Sequence, residues 1–411
     1  MRSALADRNP VRLLLAGAVL ASAVLTGCQE DEPYVAQTPT ASTDAIAPAA
    51  ATRTLDDLER AVRRHDVAAA AALGIDDTAR GLLRSIADTA AALDLTDVTF
   101  TYLTENGQVD DDGGWTAAVA TTWRIAGFDQ RSARAEIEFA FADGGTHIRA
   151  IGGGIGQTPV WVGGATAVRR TDDVVVLAAD GTVPVGSVLA ASEQALVVAR
   201  RVLGDRADRL VVEVPATGEA LHASLGQPPG SYDAVVAVTA SADGTNVPGT
   251  PVHVFLNPEL FGDQEPLSAQ VVLSHEAVHA VTATPTTTGV ESWLLEGFAD
   301  YVALRDVDLP LSRTAGQVIA QVRRDGVPEA LPSRIDLDAG AQDLGAAYEA
   351  SWLVCVTLAE RGGEEALVAF YDAVVGGADL PSELRSRFGW TIEDLTRAWQ
   401  DKLRSASGVG G

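Results

Sequence analysis

Several residue types are scarce in this chain of 411 residues. Cysteine occurs only twice, so a scaffold held together by several disulfides is excluded. Basic residues are outnumbered by acidic ones, 30 to 56, which gives a formal net charge of −26. Charge of this sign and size argues against nucleic-acid binding and against electrostatic adhesion to anionic lipid.

Long apolar runs are also scarce, and the one near the N-terminus has the features of a secretion signal. A positively charged start precedes an apolar run at residues 13–25, which is too short to span a membrane as a mature helix. The run leads into the letters LTGC, which resemble a bacterial lipobox ending at Cys28. The resemblance implies a lipoprotein signal peptide at residues 1–28, acylation of Cys28 (palmitate, for example) and an anchor on the extracytoplasmic face of the cell membrane. An ordinary signal peptide with a coincidental cysteine is the alternative.

The remaining chain divides by composition into a tether and two folded segments. Residues 29–53 are rich in Pro, Ala, Ser, Thr and acid, which predicts a disordered tether. Residues 54–182 are interpreted as an accessory domain and residues 188–405 as a second, larger domain. Cys355 lies in a helical apolar run and is predicted to be a packed core residue. With Cys28 acylated, no intramolecular disulfide can form.

The first folded segment changes from a helical to a strand-like period. Apolar residues predict one helix beginning at Thr54 and another at about 77–93. Alternating and β-branched stretches then predict the strands of an antiparallel sheet, at 98–103, 115–128, 133–141 and 160–177. This order resembles the cone-shaped fold of nuclear transport factor and ketosteroid isomerase. The predicted fold class is α+β, with this domain followed by one that has a small sheet and a mostly helical C-terminal half.

Residues with catalytic potential are concentrated in two short stretches, HEAVH and WLLEGFADY. His275 and His279 are four residues apart, so on a helix they share a face and can bind one metal ion. Glu276 projects beside that face and is free to accept a proton from water. Glu296, from a second predicted helix, is a candidate third ligand. Two histidines and one glutamate leave a fourth coordination position open for water, as hydrolytic zinc sites require.

The two stretches together resemble the active-site signature of gluzincin metallopeptidases, the group that includes thermolysin and the zinc aminopeptidases. The resemblance implies that His275, His279 and Glu296 bind Zn²⁺ and that Glu276 activates water. It also implies that Asp300, four residues after Glu296, orients the first histidine by a hydrogen bond. The spacer between His279 and Glu296 holds 16 residues, fewer than in the best-known members. The G-x-M-E-N motif with which zinc aminopeptidases bind a free amine is missing, which disfavours that kind of exopeptidase activity.

Stabilisation of the oxyanion is a further role that the resemblance implies. Zinc aminopeptidases use a tyrosine from the helical C-terminal region, and Tyr348 resembles it in position along the chain. Packing of Tyr348 against Trp352, one turn later, is the structural alternative. Tyr301 and Tyr371 are the other catalytic candidates.

Substrate binding by an edge strand is also implied, because gluzincins pair extended peptide with a strand just upstream of the metal helix. The stretch Val252–Leu256 is the candidate, with Val252, Val254 and Leu256 as its substrate-binding residues. His253 on the same strand either contacts substrate or has a structural role, and the structural role is favoured.

These patterns predict a membrane-anchored, extracytoplasmic zinc metallopeptidase that cuts peptide or protein substrates. Zinc is inferred from the ligand types, since it is the commonest occupant of such a set. Two alternatives remain open. One is a catalytically silent lipoprotein that binds a ligand or substrate and retains the zinc site. The other is a protein that captures zinc for uptake.

Overall fold

A computed structural model describes residues 46–409, apart from residues 108, 111, 155 and 339. The predicted signal peptide, Cys28 and most of the predicted tether at 29–53 lie outside the described residues. No helix within the described part is long and apolar enough to cross a membrane. The described chain is α+β, with two small sheets and a mostly helical C-terminal half, as predicted.

Three helices and a four-stranded antiparallel sheet form the first part of the structure. The helices are α1 (Pro48–Arg63), α2 (Val67–Ala72) and α3 (Asp77–Leu93). The strands, in spatial order, are β1 (Leu95–Asn106), β2 (Trp115–Ile125), β3 (Ala133–Ala142) and β4 (His147–Ile151). The prediction for 77–93 is confirmed. The predicted start at Thr54 is wrong, because the helix begins at Pro48, where proline suits the first turn and its missing N–H costs nothing. The likeness to the cone-shaped fold stays a prediction.

A second, five-stranded sheet follows, in the spatial order β5-β6-β7-β9-β8. Its strands are β5 (Thr166–Arg170), β6 (Val174–Ala179), β7 (Leu210–Val214), β8 (Ala237–Ser241) and β9 (Val252–Leu256). The three central strands β6, β7 and β9 run parallel, and the two outer strands run antiparallel to their neighbours. Helix α4 (Val185–Leu203) makes the crossover from β6 to β7.

The two largest hydrophobic cores among the described residues both use this second sheet. On β6, Val174 and Val176 belong to the core of the C-terminal half, whereas Val175 and Leu177 belong to the core of the first part. Because side chains alternate between the faces of a strand, each core packs on one face. The prediction that the stretch at 160–177 belongs to the first sheet is therefore wrong. The division into domains at 54–182 and 188–405 stays a prediction, and this sheet joins strands from both sides of it.

The C-terminal half is almost entirely helical. Two short helices, α5 (Gly218–Ser224) and α6 (Pro258–Phe261), flank the last two strands. The others are α7 (Pro266–Val281), α8 (Ser292–Leu304), α9 (Leu311–Thr314), α10 (Gly316–Asp325), α11 (Leu344–Gly362), α12 (Glu364–Val375), α13 (Leu380–Phe388) and α14 (Ile392–Ser407). Cys355 on α11 is fully buried, which confirms its predicted place in the core.

Candidate metal centre

Helix α7 carries the two histidines of the predicted site. It begins at Pro266 and runs without interruption to Val281, so His275 and His279 are one turn apart on the same face. Their imidazole centroids are 4.6 Å apart. Only 12% of the His275 side chain and 7% of the His279 side chain are exposed, so both rings are largely withdrawn from solvent.

Helix α8 carries the two predicted carboxylates, and a glycine lets it approach α11 closely. A Cβ atom at Gly297 would lie 2.2 Å from the carbonyl oxygen of Ser351, so no larger residue fits there. One residue earlier, Glu296 extends toward the histidines. One turn later, Asp300 accepts a hydrogen bond from Nδ1 of His275 at 2.8 Å.

Three ligand atoms converge at one point. Nε2 of His275 lies 2.9 Å from Nε2 of His279 and 3.2 Å from Oε2 of Glu296, and the third distance, from His279 Nε2 to Glu296 Oε2, is 3.1 Å. Ligands held about 2 Å from a tetrahedral ion are separated by about 3.3 Å, so these distances suit one zinc ion. The donor set fits as well. Because Nδ1 of His275 donates to Asp300, Nε2 is the ring nitrogen that can offer a lone pair to a metal ion, at the same point as the carboxylate.

The electrostatics of the centre favour a cation. Burial opposes charge on the imidazole of His275, but the carboxylates of Asp300 and Glu296 outweigh it and hold its pKa well above the usual range. Burial likewise opposes charge on Glu296, yet the two neighbouring imidazoles hold the pKa of that carboxyl below its usual range. The centre thus stabilises positive charge between the rings and the carboxylate, and a divalent ion supplies such charge without needing a proton.

Glu276 lies beside the three converging atoms and is held by the second sheet. Thr239 on β8 donates from its hydroxyl to Oε2 of Glu276 at 2.6 Å, and the same hydroxyl lies 3.0 Å from the backbone oxygen of Glu276. Glu276 is 9% exposed. The role of Thr239 was not predictable from the sequence, since no local pattern on the strand marks which threonine reaches the helix. Of the two carboxylate oxygens of Glu276, only Oε2 accepts a side-chain hydrogen bond from the described residues, so the second oxygen is able to accept a proton.

The prediction that Val252–Leu256 is an open edge is wrong. That stretch forms β9, which pairs with β7 on one side and with β8 on the other. Val254 and Leu256 are fully buried in the core, and Val252 pairs with Ser241 of β8. None of the three predicted substrate-binding residues therefore offers a free strand edge to peptide.

The edge strand next to the metal centre is β8. Two backbone hydrogen bonds join the ends of β8 and β9, from Ala242 N to Pro251 O and from Asn257 N to Val236 O, each at 2.9 Å. Backbone groups of an antiparallel strand point toward the partner at every second residue, so these two bonds fix which residues of β8 face β9. By that alternation the N–H and C=O of Thr239 point away from β9, toward the open edge. The residue that holds Glu276 thus also presents free backbone groups.

Tyr348 is the one predicted tyrosine that reaches the centre. Its ring lies edge-on to the imidazole of His275, with 6.0 Å between centroids. Burial raises the pKa of Tyr348, and the charges of Glu296, Glu276 and Asp300 raise it further, so the phenol keeps its proton and remains a hydrogen-bond donor.

The other two tyrosines are already engaged elsewhere. The hydroxyl of Tyr301 donates to Glu364 at 3.1 Å. Tyr371 is almost fully buried and stacks on Phe298 with centroids 3.9 Å apart, and its hydroxyl bonds to Thr282 at 3.1 Å. Both tyrosines therefore have structural partners.

Replacing Asp300 by alanine is expected to weaken metal binding. Without its carboxylate the ring of His275 loses the hydrogen bond that fixes its orientation and tautomer, and loss of such a partner lowers affinity by about 10–100-fold. Competition with a chromophoric zinc chelator measures the change. As a control, Asp306→Asn removes an exposed carboxylate paired with arginines and should leave zinc affinity unaltered. Equal affinity of Asp300→Ala and the unmodified protein would contradict the assigned role.

Comparisons with known proteins add only a distant likeness. No protein-family model matches the sequence, and no curated protein matches it. Among solved structures, a mutant of a two-domain M1 zinc metallopeptidase bound to L-tryptophan is 15% identical with a TM-score of 0.35. A mutant M1 zinc metallopeptidase from Deinococcus radiodurans, bound to a Tyr-Ser-Ala substrate, gives the same values. Each alignment covers 75% of this chain and 61% of the matched chain, so this chain spans about three-fifths of their length. Likeness at this level establishes neither the family nor the activity of the chain.

Proposed function

We propose that this protein is a zinc-dependent metallopeptidase that hydrolyses bonds within peptide or protein substrates. The observation that carries the proposal is the convergence of His275, His279 and Glu296 on one point, with Glu276 alongside. These ligand types and separations suit zinc, and three protein ligands leave room for a reacting water. When bound, zinc supplies a Lewis acid that acidifies water and polarises a carbonyl group.

The residues of the chain have separate roles in the proposed reaction. Asp300 fixes the orientation of His275. Glu276, held by Thr239, accepts the proton of the attacking water and passes it to the leaving amine. Tyr348 donates a hydrogen bond to the oxyanion that develops on the substrate carbonyl. The open edge at Thr239 binds the extended backbone of the substrate, and this replaces the predicted role of β9.

Tyr348→Phe is expected to lower kcat by about 10²–10³-fold with little change in KM, because the lost hydrogen bond forms only as the oxyanion develops. Steady-state kinetics on a fluorogenic peptide measure both constants. Tyr301→Phe is the matched control, since it removes one hydroxyl from the neighbouring helix and leaves activity unchanged. The opposite ranking of the two variants would assign the oxyanion role to Tyr301.

A digest of a diverse peptide library tests the proposal. The zinc-loaded protein should cut internal bonds, stop when zinc is chelated and recover when zinc is restored. If no peptide is cut by the loaded protein, the catalytically silent alternative is favoured. A site that empties and refills readily, with no cleavage, would instead favour zinc capture.

We further propose that the protein is a lipoprotein anchored through Cys28 to the extracytoplasmic face of the cell membrane. The support is the apolar run at 13–25 and the lipobox-like letters before Cys28. Mass spectrometry of the N-terminal peptide from membrane fractions tests this. A diacylglyceryl-modified cysteine at the mature N-terminus is expected, and an unmodified cysteine would overturn the proposal.

A further inference from the structure

The hairpin made by β8, β9 and the loop at 242–251 is held from outside by side chains of the first part of the chain. Gln157, which follows the first sheet, is 7% exposed and donates from Nε2 to two carbonyl oxygens, Ser224 at 2.5 Å and Ala242 at 2.9 Å. Its own backbone N–H donates to Glu136 on β3 at 3.2 Å. One side chain thus ties the first sheet to the residue directly after β8.

Arg131 makes a second connection, from the turn between β2 and β3. Its guanidinium donates to the carbonyl oxygen of Pro248 at 3.3 Å, within the hairpin loop. The next residue, Gly249, has φ +88°, and a Cβ atom there would lie 3.0 Å from the guanidinium. The backbone conformation therefore favours glycine, and the absence of a Cβ atom also lets the guanidinium lie this close.

Asp129, in the same turn as Arg131, makes a third connection. It accepts a hydrogen bond from Nε2 of His253 on β9 at 3.0 Å, and His253 pairs in register with Ala240 of β8. In addition, Ala242 is 3% exposed and packs in the hydrophobic core of the first part. The three connections and this packing reach strand β9 and the hairpin loop, including the residue directly after β8.

We propose that the first sheet braces the β8–β9 hairpin and so sets the position of the substrate-binding edge, with Gln157 and Arg131 as positioning residues. Ala242 lies three residues from Thr239, which is about 10 Å along a strand, so the brace acts close to the free edge. The inference rests on the proposed function, since it gives the accessory part of the chain a role in peptide binding. Zinc binding does not depend on the brace, because its ligands all lie on α7 and α8.

Kinetics and hydrogen exchange on the full-length protein test the brace. Gln157→Met keeps the approximate shape of the side chain and removes both of its hydrogen bonds to the carbonyl oxygens. Arg131→Ala removes the exposed hydrogen bond to Pro248 and leaves the hydrophobic core unchanged. Ile86→Val is the matched control, because it weakens the same core from α3 and makes none of the three connections. Each variant is loaded with zinc, and a peptide long enough to lie along β8 is the substrate.

For Gln157→Met, KM is expected to rise about tenfold, the effect of losing about one net hydrogen bond, while kcat stays within about twofold. Amide exchange in residues 237–256 should quicken by a similar factor, with exchange in α7 unchanged. A merely structural role predicts a loss of active protein at constant KM. Ile86→Val should change neither KM nor exchange in the hairpin.

If amide exchange in the hairpin of Gln157→Met and Arg131→Ala equals that of the unmodified protein, the brace is overturned. It is also overturned if Ile86→Val changes KM and hairpin exchange as much as these two variants do. Faster exchange with an unchanged KM would overturn the link to substrate binding. If the zinc-loaded, unmodified protein cuts no peptide, the proposed function fails, and the exchange measurement alone then decides whether the brace exists.

Discussion

Glu276→Gln is expected to lower kcat by about 10²–10⁴-fold, the range over which a positioned general base accelerates proton transfer. The amide cannot take up the proton of water, but its oxygen can still accept the hydrogen bond that Thr239 donates at 2.6 Å. The side chain therefore stays in place while its basicity is lost. Cleavage of a fluorogenic peptide measures the rate, and elemental analysis of the same samples should find unchanged zinc.

Glu265→Gln is the matched control for this prediction. Glu265 is an exposed carboxylate at the N-terminal end of the same helix, so its loss should leave both the rate and the zinc content unchanged. A Glu276→Gln protein that keeps most of its activity would contradict the role of general base. Loss of zinc from that variant would instead identify Glu276 as a ligand.

His253→Leu is expected to destabilise the protein by about 3–5 kcal/mol, the usual cost of removing one partner from a buried ion pair. His253 is fully buried between Glu213, 2.7 Å from Nδ1, and Asp129, 3.0 Å from Nε2. Leucine leaves both carboxylates buried without a counter-charge. Urea unfolding measures the loss. His147→Leu, which removes a half-exposed histidine paired with Asp143, should cost about 0–1 kcal/mol.

The difference in stability between the unmodified protein and His253→Leu should depend on pH, and the direction of that dependence follows from the pKa of His253. Burial acts to lower the pKa of His253, but the charges and hydrogen bonds of Asp129 and Glu213 outweigh it and raise the pKa to about 10. Since this value lies above the unfolded one of about 6.5, the stabilisation is complete below pH of about 6.5 and is lost as pH rises toward 10. The difference in the free energy of unfolding between the unmodified protein and His253→Leu should therefore narrow as pH rises through that range. A gap independent of pH would show that the imidazole is not charged.

Local signals in the sequence predicted the elements that depend on local chemistry. The helix at 77–93 has the predicted bounds because Asp76 caps it, accepting a hydrogen bond from Ala79 N. The spacing of His275 and His279 predicted that they share one face of a helix, and α7 confirms this because it runs unbroken from Pro266 to Val281.

The arrangement of strands could not be predicted in the same way. Both β8 and β9 are short β-branched stretches upstream of the metal helix, and nothing within either stretch says which lies at the edge. Strand order depends on how the hairpin docks on β7, which involves residues far away in the chain. The pair Asp129 and His253 illustrates this, since 124 residues separate them and only the folded chain brings them together. The same holds for Thr239 and Glu276.

The positions of the predicted site residues follow from short-range spacing within two helices. His275, His279 and Glu296 converge because the i,i+4 spacing and a tight connection of 16 residues leave few other arrangements once α7 and α8 pack. Tyr348 needed the fold, because its approach to His275 depends on the contact between α8 and α11 at Gly297. The sequence favoured Tyr348 but left Tyr301 and Tyr371 open as less favoured candidates, since no spacing rule fixes this residue.

X-ray absorption at the zinc edge of the purified, zinc-loaded protein tests the central claim most directly. One zinc per chain is expected, with two imidazole nitrogens and light oxygen ligands at about 2.0–2.1 Å in a four-coordinate shell. In Glu296→Ala the two imidazole signals should remain while affinity falls. A shell without imidazole scattering, or a protein that retains no zinc after gel filtration, would contradict the claim that His275, His279 and Glu296 form a metal centre.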